Sequence, residues 1–177
     1  MSFLSVSGKN WKFKDFDFSE VSKISESYSI SETLAKLISI RKNNINSIGL
    51  FLDPKIKNLL PNPMLLKDMD RAIDKTYASI LKNEIIGIFG DYDVDGASST
   101  ALLAKYFLLI NKKIEIYIPD RQKEGYGPTK KGFENLIKNG VKIIFTVDCG
   151  TSSYEPINVA KESNVDVIVL DHHQSST

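Results

Sequence analysis

Ile85-Ile86-Gly87-Ile88-Phe89-Gly90-Asp91-Tyr92-Asp93-Val94-Asp95-Gly96 is the stretch that decides the fold. A short, unbroken apolar run stops at a glycine, and an aspartate-rich turn follows. A strand without polar alternation is buried on both faces, as in a parallel sheet covered by helices. The residues downstream repeat the pattern. Ala97 to Ile110 reads as a helix, and Ile114 to Ile118 as a strand ended by Pro119-Asp120. Thr129 to Asn139 reads as a helix closed by Gly140, and Val141 to Val147 as a strand ended by Asp148-Cys149-Gly150. Ser153 to Ser163 is then a helix, and Val165 to Leu170 a strand ended by Asp171-His172-His173. Strands alternating with helices predict an α/β fold, a parallel sheet with helices on both faces.

Upstream, the pattern changes. Ser31 is an N-cap candidate ahead of Leu34, Leu37, Ile38 and Ile40 at helical spacing. Asp53-Pro54 marks a turn before a short helix, and Pro61-Asn62-Pro63 breaks the chain. Leu66, Met69, Ile73, Tyr77 and Ile80 mark a further helix. The first 30 residues, rich in Ser, Lys and aromatics, fit no element. The expected division is a mainly helical extension over 1–83 and an α/β metal-binding domain over 84–177.

The 177 residues are 42% hydrophobic and 25% charged, which excludes wholesale disorder. Cys149 is the single cysteine, so no intrachain disulfide forms, and a reducing, cytoplasmic setting is expected. No apolar run is long enough for a membrane helix, and Met1 to Asn10 lacks the pattern of a secretory signal. The net charge of +1 hides opposed halves: residues 1–83 carry 13 basic and 9 acidic side chains, and residues 84–177 carry 10 and 13. Between Lys105 and Lys142 there are 9 basic and 4 acidic residues, around Arg121. A near-neutral total therefore leaves room for a nucleic-acid partner.

In open parallel sheets, ligands sit outside the carboxyl ends of the strands. Three of the four predicted strands end there in Asp91–Gly96, Asp148–Gly150 and Asp171–His173. Asp91–Gly96 alone reads equally well as a solvated loop and Asp148 alone as a cap or turn residue, while the histidine pair, in a sequence with two histidines, favours function over plain exposure. Their convergence on one sheet edge points to a metal site. Crowded carboxylates require a compensating cation. Carboxylate with imidazole suits Mn²⁺ or Mg²⁺, with Zn²⁺ a further candidate. Two such cations form the usual device for displacement at phosphorus, so metal-assisted phosphoester hydrolysis is expected. A calcium-loop reading fails because Leu102 stands at its twelfth position. Cys149 lacks an adjacent base for a nucleophilic role. At the remaining strand end, Arg121 is a candidate phosphate clamp and Tyr126, between two glycines, a candidate base-stacking ring; a plain surface loop with a packed Tyr is the equal alternative.

Gly90-Asp91-Tyr92-Asp93-Val94-Asp95-Gly96-Ala97, Pro119-Asp120-Arg121 through Gly125-Tyr126-Gly127, Thr146-Val147-Asp148-Cys149-Gly150 and Asp171-His172-His173-Gln174 resemble, in that order, the motifs of the DHH phosphoesterase superfamily. The likeness is nearest to its single-stranded-DNA-specific RecJ-type exonucleases, and Phe51–Pro54 and Met69–Ala72 resemble the region that precedes their first motif. The resemblance implies that Asp93 and Asp95 are ligands to two metals, Asp148 the bridging carboxylate and His172 a ligand. It places His173 against the scissile phosphate and Arg121 near the 5′ end of the strand. Asp171 would orient the histidines and Asp91 would assist through water. Some members carry a histidine where Phe89 stands, which leaves the first metal one protein ligand fewer. The implied activity is stepwise 5′→3′ removal of nucleotides from single-stranded DNA with Mn²⁺ or Mg²⁺.

The family pattern continues past the histidine pair with another Asp ligand, a connecting helix and further domains, whereas this sequence stops at Thr177. The expectation is an N-terminal part that lacks one metal ligand and has weak or no activity alone. Two alternatives stand beside the exonuclease. One is a phosphodiesterase of the same superfamily for short oligonucleotides or cyclic dinucleotides, against which the N-terminal extension and the Glu124–Gly127 loop speak. The other is a non-catalytic DNA-binding remnant, against which the retained aspartates and histidines speak.

Overall fold

A computed structural model describes residues 2–41 and 45–174. The chain divides into two compact units, 1–62 and 63–177. In the first, strands β1 (Ser2–Leu4) and β2 (Asn10–Lys12) pair antiparallel. Helices α1 (Phe18–Tyr28), α2 (Glu32–Ile40), α3 (Ile45–Leu52) and α4 (Ile56–Leu59) follow. Asp17 caps α1 and Ser31 caps α2, each side chain accepting from a backbone N–H of the first turn. Val21, Ile24, Ala35, Ile38 and Ile48 bury together as the core of this unit. The hairpin and α1 occupy the segment in which sequence patterning shows no element; β2 is exposed throughout and carries no buried face, whereas α1 buries Val21 and Ile24.

The second unit begins with a 3₁₀ turn (Pro63–Leu65) and α5 (Met69–Leu81). Next come β3 (Ile85–Phe89), α6 (Val94–Leu109), β4 (Ile114–Tyr117), α7 (Arg121–Glu124) and α8 (Lys130–Lys138). β5 (Val141–Val147), α9 (Tyr154–Glu162) and β6 (Asp166–Leu170) complete it. The four strands are parallel in the order β4-β3-β5-β6. Alternation along β3, and along β5 from Ile143 onward, sorts the side chains between two cores, and a register shift turns Val141 to the opposite side from Ile143. Ile86, Ile88, Ile143, Phe145 and Val147 face α5 and α6 with Phe107 and Ala104. Phe89, Val141 and Ile144 pack with Phe133, Leu136 and Ala160 on the other side. Continuous apolar strands and double coverage are thus the same fact seen twice.

The boundary between the compact units falls at the Pro61–Pro63 break, upstream of the composition change at residue 83. The reason is α5. Its Ala72 and Ile80 pack on the sheet core, Lys75 pairs with Asp166 of β6 at 2.9 Å, and the Ile80 carbonyl accepts from Lys112 Nζ at 2.9 Å. Chemically α5 resembles the helices before it, but it packs on the sheet through Ala72 and Ile80, while Ile73 and Tyr77 of its expected apolar stripe stay exposed.

β3 connects to β4 on one side and the chain then returns to β5 on the other. The carboxyl ends of β3 and β5 therefore flank the point where the strand order reverses, the position at which such sheets bind ligands. Gly96 makes the first of these ends possible. A Cβ there would lie 2.6 Å from the Asp91 Cβ and 2.7 Å from its carbonyl oxygen, so only glycine lets α6 start directly over the aspartate turn.

Candidate metal centre

Asp148, His172 and His173 offer ligand atoms that all lie within 4.8 Å of one another. Asp148 follows β5 and the histidines follow β6. The Asp148 N–H donates to the Leu170 carbonyl at 2.8 Å, which ties the two strand ends together. Asp148 adopts φ +60°, a left-handed conformation that a side-chain-bearing residue holds at a cost. Its buried carboxylate reaches His172 Nε2 at 3.1 Å. Burial and the neighbouring Asp93 carboxylate push Asp148 above the usual carboxylate range, while His172 and His173 pull it back.

Asp171 does not join the cluster but organises it. One oxygen accepts from the His173 ring Nδ1 at 2.7 Å and from the His173 N–H at 3.0 Å. The other accepts from Thr151 Oγ1 at 2.6 Å and Thr151 N–H at 3.0 Å. Burial alone would raise this carboxyl, but these donors outweigh it and hold it well below the ordinary range. The Asp171 partner raises His173 in turn.

The first turn arrives in parts. Asp91 is buried, and its Oδ1 accepts from the Tyr92 N–H at 2.7 Å. Asp93 caps α6 by accepting from the Gly96 N–H at 2.9 Å. Asp95 is exposed and lines, with Asp148, Asp171 and His172, a groove of about 1160 Å³ beside β6. Asp93 and Asp95 stand outside the three-residue cluster, yet both act on the Asp148 charge. A buried carboxylate facing two imidazoles, with further aspartates at its edge, is a mixed oxygen and nitrogen donor set that suits a divalent transition-metal cation such as Mn²⁺.

The fourth strand end comes to the same place. The Tyr126 hydroxyl lies 3.4 Å from both ring nitrogens of His173 and 3.5 Å from the Asp148 carbonyl. Tyr126 thus touches the histidine as well as presenting an exposed ring. Burial and the surrounding aspartates push its hydroxyl up to about 12. Arg121 stands 5.0 Å from the centroid of the Tyr92 ring. Where a loop was one expectation, residues 121–124 form α7, capped by Asp120.

Two sequence-level readings end differently. Cys149 is buried, and burial beside Asp91 and Asp171 pushes its thiol up to about 12, which removes it as a nucleophile at neutral pH. Phe89 is buried between Tyr117 and Phe133, so the position at which some superfamily members carry a histidine points here into the core. Patterning also missed Thr151, Tyr92 and Glu124. Glu124 accepts from the Tyr117 hydroxyl at 2.7 Å and from Thr129 Oγ1 at 3.3 Å, pinning the loop that carries Arg121 and Tyr126. Each of these three acts through a partner on another element, and no local periodicity reports that.

Residues 85–177 match the family model described as DHH family, N-terminal domain. The single-stranded-DNA-specific exonuclease RecJ of Bacillus subtilis is 35% identical over 170 residues, which is 96% of this chain and 22% of that protein. RecJ of Thermus thermophilus is 32% identical over 122 residues, 69% of this chain and 17% of that protein. A crystal structure of exonuclease RecJ bound to manganese superposes with a TM-score of 0.60 at 30% identity, over 66% of this chain and 30% of that one. The crystal structure of RecJ in complex with Mn²⁺ from Thermus thermophilus shares the fold at a TM-score of 0.65 and 21% identity, over 90% of this chain and 22% of that one. The chain therefore spans about a fifth of the length of these curated relatives. With the family model matched from β3 through both histidines, the chain belongs to the DHH family.

Proposed function

We propose that this chain carries the metal-binding part of a phosphodiester-hydrolysing site that acts on single-stranded DNA from its 5′ end, in the manner of the RecJ exonucleases. The observation that carries it is the convergence of Asp148, His172 and His173 beside the point where the strand order reverses. The relative of solved structure at 30% identity is described as bound to manganese, which favours Mn²⁺.

In this reading Asp148, Asp93, Asp95 and His172 are the residues that would hold the divalent cations. Such cations, when bound, supply charge neutralisation at the phosphate and acidify the attacking water. Asp171 accepts from the His173 Nδ1–H and favours the charged ring, so that the imidazolium Nε2–H would donate to a phosphate oxygen. Tyr126 closes over the same ring. Arg121 takes a phosphate near the 5′ end of the strand.

Calorimetric titration with Mn²⁺ tests the site, and single strands labelled at either end test the chemistry. Mononucleotide release from the 5′ end is expected. Degradation from the 3′ end overturns the exonuclease reading, and faster hydrolysis of a cyclic dinucleotide favours a small-substrate phosphodiesterase.

A further inference from the structure

Tyr92 follows the buried Asp91 at the end of β3, and the Arg121 guanidinium lies over its ring. The setting of this arginine is unusual for a surface turn. Asp120, its nearest acid in sequence, is already committed: Oδ1 accepts from the Gln122 N–H at 3.0 Å and Oδ2 pairs with Lys123 at 3.3 Å. Among the described residues, the Arg121 donors have no hydrogen-bond or ion-pair partner. The turn thus neutralises its own carboxylate with lysine and leaves the planar fork of the arginine uncommitted. The guanidinium carbon stands 5.0 Å from the ring centroid, within reach of a cation–π contact, and its N–H donors remain open to a bidentate oxyanion.

The backbone that bears the ring is also anchored. Tyr92 N–H donates to Asp91, and Asp93, one residue on, caps α6. The ring therefore belongs to the backbone turn that bears the first aspartates of the metal site. Arg121 comes from the opposite side of β3, from the turn after the neighbouring strand β4. The cation–π contact joins the two turns.

We infer that Tyr92 is a positioning residue, whose ring seats Arg121 so that its fork reads a terminal phosphate at a fixed offset from the metal cluster. This rests on the proposed single-strand reading, and it assigns to Tyr92 the 5′-phosphate preference of the site. Tyr92 itself touches no substrate. A lysine at 121 would lose both the flat face and the fork, so it does not substitute.

The experiment compares binding of a short oligo(dT) with phosphorothioate linkages, carrying either a 5′-phosphate or a 5′-hydroxyl, by anisotropy in Mn²⁺. The wild-type chain is expected to prefer the phosphorylated strand, and Arg121→Gln to abolish the preference. Tyr92→Leu should reduce the preference by about two- to fivefold, the scale of an exposed cation–π contact, and Tyr92→Phe should keep it. In an Arg121→Gln background, Tyr92→Leu should change nothing further. The Arg121 Nε–Hε resonance reports the contact without DNA: it should move in Tyr92→Leu and stay in Tyr92→Phe. If Tyr92→Leu does not fold, Tyr92→Met, of similar reach and without a π face, takes its place. An undiminished phosphate preference in the Leu or Met variant overturns the role of Tyr92 while leaving the Arg121 reading intact. No preference in the wild-type chain, with Arg121→Gln unchanged, overturns both.

Discussion

His173 Nδ1 and Asp171 Oδ1 stand 2.7 Å apart, while the second Asp171 oxygen is held by Thr151. A carboxylate fixed on both oxygens fixes in turn the ring that it faces. Replacing Asp171 with Asn leaves the shape and removes the charge that orients His173. Loss of such an outer partner costs on the order of 10–100-fold in metal affinity, and Mn²⁺ calorimetry on Asp171→Asn should show a drop of that size. Thr151→Val should follow in the same direction with a smaller effect. Unchanged affinity in both would remove Asp171 from the site.

Asp148 combines burial, neighbouring carboxylates and a positive φ. Glycine relieves the backbone and deletes the crowded charge, at the cost of a more flexible unfolded chain. Asp148→Gly should therefore unfold in urea at or above the wild-type midpoint without metal, and lose its Mn²⁺ response altogether. Asp148→Asn keeps a residue tolerant of that conformation and should lose metal binding as well. A strongly lowered midpoint in the glycine variant would count against strain at this position.

Tyr117 and Glu124 give the pH dependence of the loop that carries Arg121 and Tyr126. Their hydrogen bond lowers Glu124, and burial with Glu124 raises Tyr117 to about 12. Glu124, depressed in the folded state, contributes stability above its ordinary value of 4.5 that is lost as the pH falls through the folded value. Tyr117 contributes stability below 10 that is lost as the pH rises toward about 12. Tyr117→Phe should remove about 1 kcal/mol near neutral pH and flatten the alkaline limb of a thermal-melting profile. Identical profiles for the two proteins would show that the pair contributes nothing.

Phe89→His tests whether a superfamily ligand can be restored by sequence alone. The side chain is fully buried between Tyr117 and Phe133, so an imidazole there loses packing and buries polar atoms. The variant should be destabilised by about 3 kcal/mol or more, with no gain in Mn²⁺ affinity. Tighter metal binding would show that this position can turn toward the site.

Gly96→Ala places a methyl group 2.6 Å from the Asp91 Cβ, within a helix turn whose backbone cannot retreat without moving Asp93. A loss of about 1–3 kcal/mol in urea unfolding is expected, together with weaker metal binding. Ala97→Gly next to it is the matched control, with only the helix-propensity cost.

The sequence by itself determined the α/β sheet. Uninterrupted runs such as Ile85–Phe89 and Val141–Val147 must be buried on both faces, and the aspartates and histidines that end them must then gather at one edge. Ser31 was legible as a cap, since capping depends on local chemistry alone. Tertiary structure decided the rest. It drew α5 onto the sheet through contacts from Ala72, Ile80 and Lys75, although its pattern matches the helices before it. It selected Asp148, His172 and His173 as the tight cluster and left Asp93 capping a helix. It brought Tyr92 under Arg121 and Thr151 to Asp171, pairs that lie on different elements. Periodicity reports which face of an element is buried, because that follows from one chain's geometry. Which side chains meet across elements depends on register and on sub-ångström approach, and these exist only once the strands have paired.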